Sequence, residues 1–205
     1  MTTSPFIYLA SQSPRRAELL KQIGINYQLL LLSDDPRYLA HVDETPLINE
    51  SASDYVQRVC LLKAEAAWES MIFRDLSPAP VLAADTTIVL DNYIIGKPGD
   101  NNDAATILRL LSGRQHRVLT AVAVKFDQRI ESRLSITSVT FVQLSEERIQ
   151  RYISSGEAQN KAGAYGIQGQ AGAFVERIEG SYSGVVGLPL FETAQILNLF
   201  GYQTP

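Results

Sequence analysis

The sequence predicts an α/β fold: one mixed, twisted sheet with helices packed around it. Three observations carry this expectation. Short apolar runs of strand character alternate with helix-period stretches along all 205 residues. Asp- and Asn-centred turns, Asp91-Asn92 and Asp127-Gln128, join apolar runs into hairpins. The hydrophobic content of 45% suffices for one sizeable core, in a single domain or one domain with two lobes.

The elements follow in order. "FIYLA" (6–10) is a strand that runs into "SQSPRRAELL", a helix start with Ser13 as cap, Pro14 at the first helical position and Leu19, Leu20 and Ile23 as an apolar stripe; Gly24 stops it. "YQLLLL" (27–32) is a second strand, and 33–51 is a polar, Pro-containing loop. A helix over 53–69 carries Val56, Val59, Leu62 and Trp68. "APVLAADTTIVLDNYIIGKP" is a strand and hairpin. Asp100 or Asp103 caps a helix running to Leu111, which Gly113 ends. "HRVLTAVAVKF" and "ESRLSITSVTFVQL" pair as strands; Ser145 caps a helix through Ile153. A glycine-rich loop, "NKAGAYGIQGQAGAF", leads to a strand, "AFVERI", and Pro189 starts a last helix ending at Gly201.

The totals exclude several classes. A net charge of −4 opposes a general nucleic-acid or anionic-membrane binder. No run approaches the roughly 18 apolar residues of a membrane span, and no secretory signal opens the chain. The single cysteine, Cys60, forms no intrachain disulfide and reads as core packing in a reducing cytoplasm. There is no Walker A loop, and no G-x-S-x-G, H-E-x-x-H or C-x-x-C motif. His41 and His116 lack metal-ligand spacing, and His116 reads as structural.

Chemistry gathers elsewhere. Arg15 and Arg16 stand in the first turn of a helix, where the dipole disfavours cations. They are either solvated arginines or a grip for a phosphate at the helix N-terminus. Asp85 sits in a very apolar strand. It either ends the strand on the next amides or serves as a base or metal ligand, with Thr86 and Thr87 helping to hold it. Glu44, in "VDETP", is a solvated loop charge or a second carboxylate for a metal. Lys63 and Lys97 face a phosphate or snorkel. The glycine-rich loop is either a tight structural turn or a ligand wall, on which Tyr165 can stack on a base and Gln168 can pair with the edge of a uracil-type ring. Cations and acids in loops of an acidic protein suit a small polyanion with a divalent metal, such as a nucleotide.

In this order, "LASQSPRRAELL", "VDETP", "YVQRVCLLKAEAA", "AADTTIVLD", "IIGKPGD", "LLSGRQHRVLTAVAV", "KAGAYGIQG" and "EGSYSGVVGLPL" resemble the Maf family of septum-formation-inhibitor-like nucleoside triphosphate pyrophosphatases. The resemblance covers nearly the whole chain, 1–205, as one domain. It implies an elongated sheet with two lobes around a central cleft, as in inosine-triphosphate pyrophosphatases. It implies hydrolysis between the α and β phosphates, Mg²⁺ or Mn²⁺ as cofactor, a cytoplasmic housecleaning role and often a homodimer. By position, Asp85 looks like the catalytic base or metal-organising acid, and Glu44 like the second acid at the metal. Arg15, Arg16, Lys63 and Lys97 look like the phosphate grip, with Ser11 and Ser13 on the same turn, and Lys161, Tyr165 and Gln168 like further substrate contacts.

The 7-methyl-GTP branch of that family has an aromatic residue in its S-P-x-R motif and lacks "AYGIQG". This chain has "SPRR", "DTT" and "AYGIQG" and so resembles the dTTP/UTP branch, with Arg15, Thr86 and Gln168 at the positions that set the preference. There are two departures. The stretch 33–41 is longer than is usual in the family, and Asn160 stands where an Asp commonly precedes "KAGAY". The rival expectations are a nucleotide-binding regulator of septum formation without turnover, and a phosphatase or nuclease of another kind.

Overall fold

The computed structural model describes residues 6–32 and 42–205. Its elements are β1 (Ile7–Leu9), α1 (Pro14–Gln22), β2 (Tyr27–Leu29), α2 (Ala52–Phe73), β3 (Val81–Leu90), β4 (Tyr93–Ile95), α3 (Asn101–Leu111), β5 (Gln115–Phe126), β6 (Arg129–Phe141), α4 (Glu146–Ser154), β7 (Val175–Glu179), α5 (Tyr182–Val186) and α6 (Leu190–Leu199). The sheet runs β2-β1-β3-β5-β6-β7, with β4 also on β3. β1 pairs parallel with β2 and β3, and the remaining pairs are antiparallel. The expected α/β class and mixed sheet with flanking helices hold.

Local chemistry accounts for most boundaries. Asp91 and Asn92 both take positive φ, 48° and 72°, as a tight two-residue hairpin demands. Asp100 and Ser145 cap α3 and α4 through their side chains, on the N–H groups of Asp103 and Arg148. Ser13 occupies the cap position of α1 but its hydroxyl caps nothing; its own N–H donates to Ser11 Oγ at 3.2 Å. β2 is shorter than the expected 27–32, because its partner β1 offers only three residues to pair with. α2 is longer than expected, because Met71 extends its apolar stripe until Asp75, at φ 51°, turns the chain. The short helix α5 and the 3₁₀ turns Ala162–Ala164 and Gln170–Phe174 were not expected. Of the predicted loop, residues 33–41, with His41, lie outside the described residues.

Strand parity divides the core. Along β3, Val81, Ala83 and Val89 pack with Val56, Cys60, Ala64, Ala67 and Met71 of α2. Leu82, Ala84, Ile88 and Leu90 face the other way, onto the core shared with α1, α3, α4 and α6. Asp85 therefore belongs to the α2 face and Thr86 to the opposite face.

The pairing also leaves a notch. β5 covers one edge of β3 from Val81 to Val89. On the other edge β1 reaches only Leu82, and β4 starts only at Ile88. Between them the edge of β3 at Asp85 and Thr86 has no neighbouring strand. It lies just past the carboxyl end of β1, the place where open α/β sheets gather ligands.

Two buried groups give tests of this core. Cys60 is 1% exposed, its thiol donates to the Ala83 carbonyl at 3.5 Å, and burial, with the Asp85 charge, pushes its pKa up to about 12. The native protein is expected to resist a thiol reagent at pH 8 and to react once unfolded in guanidinium; rapid native labelling counts against the packing of α2. His116 is 2% exposed, its Nε2 lies 2.9 Å from the Tyr165 hydroxyl, and its ring meets Phe141 edge to face at 4.9 Å. Burial lowers its pKa to about 4. The unfolded chain therefore binds a proton between about pH 6.5 and 4 that the folded chain refuses. Up to about 3 kcal/mol of stability is present above that window and lost as pH falls through it. Urea midpoints measured from pH 7 to 4.5 should fall, and His116→Phe should flatten the slope.

Candidate active site

The notch opens into a cavity of about 850 Å³, within the usual size for small-molecule sites. The β1–α1 turn, α2, β3, Lys97, residues 159–162 and the end of α5 all contribute to its wall. Five cationic side chains, Arg15, Arg16, Lys63, Lys97 and Lys161, line it with two carboxylates, Glu44 and Asp85.

The carboxylates converge. Lys63 lies three residues after Cys60 and seven after Val56, so the helix period puts it on the apolar stripe of α2 that faces β3. Its Nζ sits 2.7 Å from Asp85 Oδ1 and 2.7 Å from Glu44 Oε1. The side chains of Lys63 and Asp85 are 18% and 13% exposed, and that of Glu44 is 48% exposed. Burial works to raise the Glu44 pKa, but the charge and hydrogen bond of Lys63, helped by Lys97 and Arg16, prevail and hold it below the usual value. Burial works to lower the Lys63 pKa, and the two carboxylates outweigh it and raise it. Glu44 and Lys63 are therefore both charged at neutral pH. Lys63 thus joins the two acids.

The two adjacent arginines have different tasks. Arg16 is tied to the protein: Nε donates to the Gly187 carbonyl at 2.7 Å, Nη1 to Ser11 Oγ at 3.2 Å and Nη2 to Thr86 Oγ1 at 3.3 Å. Gly187 has φ 127°, a backbone that favours glycine. Thr86 Oγ1 is 3.1 Å from Thr120 Oγ1, which donates to the Gly184 carbonyl at 2.8 Å. A hydroxyl has one proton, and that of Thr120 is spent on Gly184. The chain therefore runs in one direction, from Arg16 through Thr86 and Thr120 to α5. This explains one cation in the first turn of α1: it pins that turn to β3 and α5. Arg15 and Lys97 line the cavity without a hydrogen bond or ion pair to another described residue, so their charges are available to a ligand. Lys161 donates to the Glu157 carbonyl; burial and the Arg15 charge pull its pKa down.

Ser11, Ser13 and Thr86 line the cavity as expected. Tyr165 touches it, but the ring is only 5% exposed, locked by His116 and Phe141, and burial raises its hydroxyl pKa, so it is a wall rather than an open stacking platform. Gln168 is not brought to the cavity: Ile167 beside it takes the buried place in the core, and Gln168 is left exposed. The amides at the cavity are Gln12, Gln159 and Asn160, the last at φ 58°. Sequence reasoning missed Thr120 and the end of α5. A lone hydroxyl in the apolar run "VLTAVAV", across from Thr86 in register, is the signal that could have found the first.

No cluster of three or more His, Cys, Asp or Glu residues is placed to hold a metal among the described residues. The two carboxylates that do converge give a hard oxygen set and leave further ligand positions to water or phosphate, the way Mg²⁺ is usually held.

A cavity with two converging acids and a majority of cations defines a site for a small, strongly anionic substrate. The chain belongs to the Maf family: residues 6–200 match the model of the Maf-like proteins. It is 54% identical over 197 residues to the dTTP/UTP pyrophosphatase of Aromatoleum aromaticum, covering 96% of each chain. It is 55% identical over 192 residues to that of Cupriavidus pinatubonensis, covering 94% of this chain and 95% of the relative. With the Nitrosomonas europaea enzyme of the same name the identity is 54% over 195 residues, covering 95% and 94%. Among solved structures, the Staphylococcus aureus Ham1 protein is similar at 16% identity and a TM-score of 0.45, covering 66% of this chain and 71% of its own.

Proposed function

We propose that this protein is a dTTP/UTP pyrophosphatase that releases the nucleoside monophosphate and pyrophosphate. The observation that carries the reading is the convergence of Glu44 and Asp85 on Lys63, 2.7 Å from each, in a cavity also lined by Arg15 and Lys97, which make no hydrogen bond or ion pair to another described residue. Arg15, Lys97 and Lys161 bind and orient the triphosphate. Asp85 takes the proton of the attacking water as its oxygen bonds to the α-phosphorus and the bond to the β-phosphate bridge breaks. Lys63 keeps Glu44 ionised and holds the two carboxylates close together. Glu44 and Asp85 would hold Mg²⁺ or Mn²⁺, which would supply charge neutralisation of the triphosphate. The names of the relatives, at about half identity over nearly the whole chain, support the pyrimidine preference. The family resemblance adds a cytoplasmic homodimer to the proposal. Among the described residues no helix is long and apolar enough to cross a membrane.

The test is pyrophosphate release from dTTP, UTP, CTP, GTP and 7-methyl-GTP, with Mg²⁺, with Mn²⁺ and with chelator. Turnover of dTTP and UTP that chelator abolishes is the expected result. Release of orthophosphate instead, or no turnover of any nucleotide, rejects the reading.

A further inference from the structure

The described part of the loop that carries Glu44, residues 42–51, has no helix or strand, yet three consecutive carbonyls of it are held. Arg58 on α2 donates from Nη1 to the Asp43 carbonyl and from Nη2 to the Thr45 carbonyl, both at 3.0 Å. The Tyr55 hydroxyl donates to the carbonyl between them, that of Glu44, at 3.0 Å. Tyr55 and Arg58 stand one helical turn apart, with the guanidinium 5.7 Å from the ring centroid. Glu50 closes the other side of the guanidinium: Nε donates to its Oε1 at 2.6 Å and Nη2 to its Oε2 at 2.8 Å. Oε2 of Glu50 also accepts the Leu47 N–H at 2.9 Å. Four of the five guanidinium N–H groups are thereby used.

A surface ion pair alone contributes little and needs no such reach. Here the Glu50 side chain is only 7% exposed, and hydrogen bonding by Arg58, against a smaller effect of burial, holds its carboxyl at about 2. The pair is a fixed brace. Neither Arg58, Tyr55 nor Glu50 lines the cavity. The carbonyls they hold are centred on Glu44, whose carboxylate lines the cavity. Five residues along the same helix, Lys63 receives that carboxylate. One rigid helix thus fixes both the backbone of Glu44 and the ammonium its side chain meets.

We propose that Arg58, seconded by Tyr55, is a positioning residue of the active site, which clamps residues 43–45 to α2 so that the Glu44 carboxylate converges on Asp85. The proposal rests on the pyrophosphatase reading and adds to it a determinant outside the cavity. Groups that orient a metal-binding or catalytic carboxylate typically matter 10–100-fold for activity even though they touch no substrate.

The test combines Arg58→Met, which keeps the apolar stem, with Glu44→Gln in a double-mutant cycle, and adds hydrogen exchange. In the parent background Arg58→Met should lower kcat/KM for dTTP about 10–100-fold. In the Glu44→Gln background it should lower it no more than about twofold, because its effect runs through Glu44. Backbone amides of residues 43–50 should exchange faster, with those of β3 and β5 unchanged. Equal losses in the two backgrounds overturn the proposal, as does faster exchange spread through α2 and β3. A parent protein that releases no pyrophosphate rejects the pyrophosphatase reading, and the exchange experiment then decides alone whether Arg58 holds the loop: unchanged loop amides in Arg58→Met overturn it.

Discussion

Asp85→Asn is expected to release pyrophosphate from dTTP about 10²–10⁴-fold more slowly than the parent enzyme. Asparagine keeps the volume and the strand position, so β3 and its pairing with β5 survive. What disappears is the basic oxygen that accepts the proton of the attacking water. Nucleotide affinity, measured by calorimetry, should hold or rise, because a negative charge has left a cavity built for a polyanion. Lys63 stays charged through Glu44, 2.7 Å away, so the thermal midpoint should move little. Turnover within a few-fold of the parent would move the base role away from Asp85.

Arg16→Ala is expected to be the most damaging change to the fold at the site. Three donors vanish together, leaving the Gly187 carbonyl without the guanidinium, Ser11 with the Ser13 N–H alone and Thr86 with Thr120 alone. Hydrogen bonds from a charged donor contribute about 1.5–3 kcal/mol each and are not additive here, so a loss of about 3 kcal/mol is the central expectation. For a chain of this size that is a fall in Tm of about 6–12 °C. Activity falls as well, because α5 and Thr86 are no longer pinned to the turn that presents Arg15. Arg15→Ala provides the contrast. It should leave Tm within about 2 °C and raise KM for dTTP, since Arg15 makes no hydrogen bond to another described residue. Differential scanning fluorimetry and initial rates on the two variants separate the roles; a large Tm loss in Arg15→Ala, or none in Arg16→Ala, contradicts the division.

Much of this was legible in the sequence, and what was missed has a common cause. Turns and caps are decided by neighbours in the chain, so Asp91-Asn92 and Ser145 could be read directly and the third cap narrowed to Asp100 or Asp103. Helix period placed Val56 and Val59 in the core of a helix, but the position of Lys63 on the stripe of Val56 and Cys60 was not read from it. The partners of that lysine and of Arg16 are long-range: Asp85 is 22 residues from Lys63, and Gly187 is 171 residues from Arg16. No local pattern announces such bonds, so Arg16 and Lys63 were both expected to hold phosphate. Gln168 lies away from the cavity in this structure for the complementary reason. Its donor and acceptor suit a base edge, but the burial of Ile167 beside it decides where the turn leaves it. The brace around Glu50 and Arg58 escaped notice because each of them alone resembles an ordinary surface charge.

A β-strand ordinarily offers a site every second residue. Where β1 stops short of β4, consecutive residues of β3 serve one cavity from opposite layers: Asp85 is supported by α2, and Thr86 by α1 and α5. Mutations can therefore tune one position without passing through the other's scaffolding, and lineages are free to change what sits at residue 86 while the chemistry at 85 stands. The arrangement has a matching intolerance. A single codon gained or lost within this stretch of the gene would exchange the two layers' contents at once, so divergence here should proceed by substitution and never by a change of length.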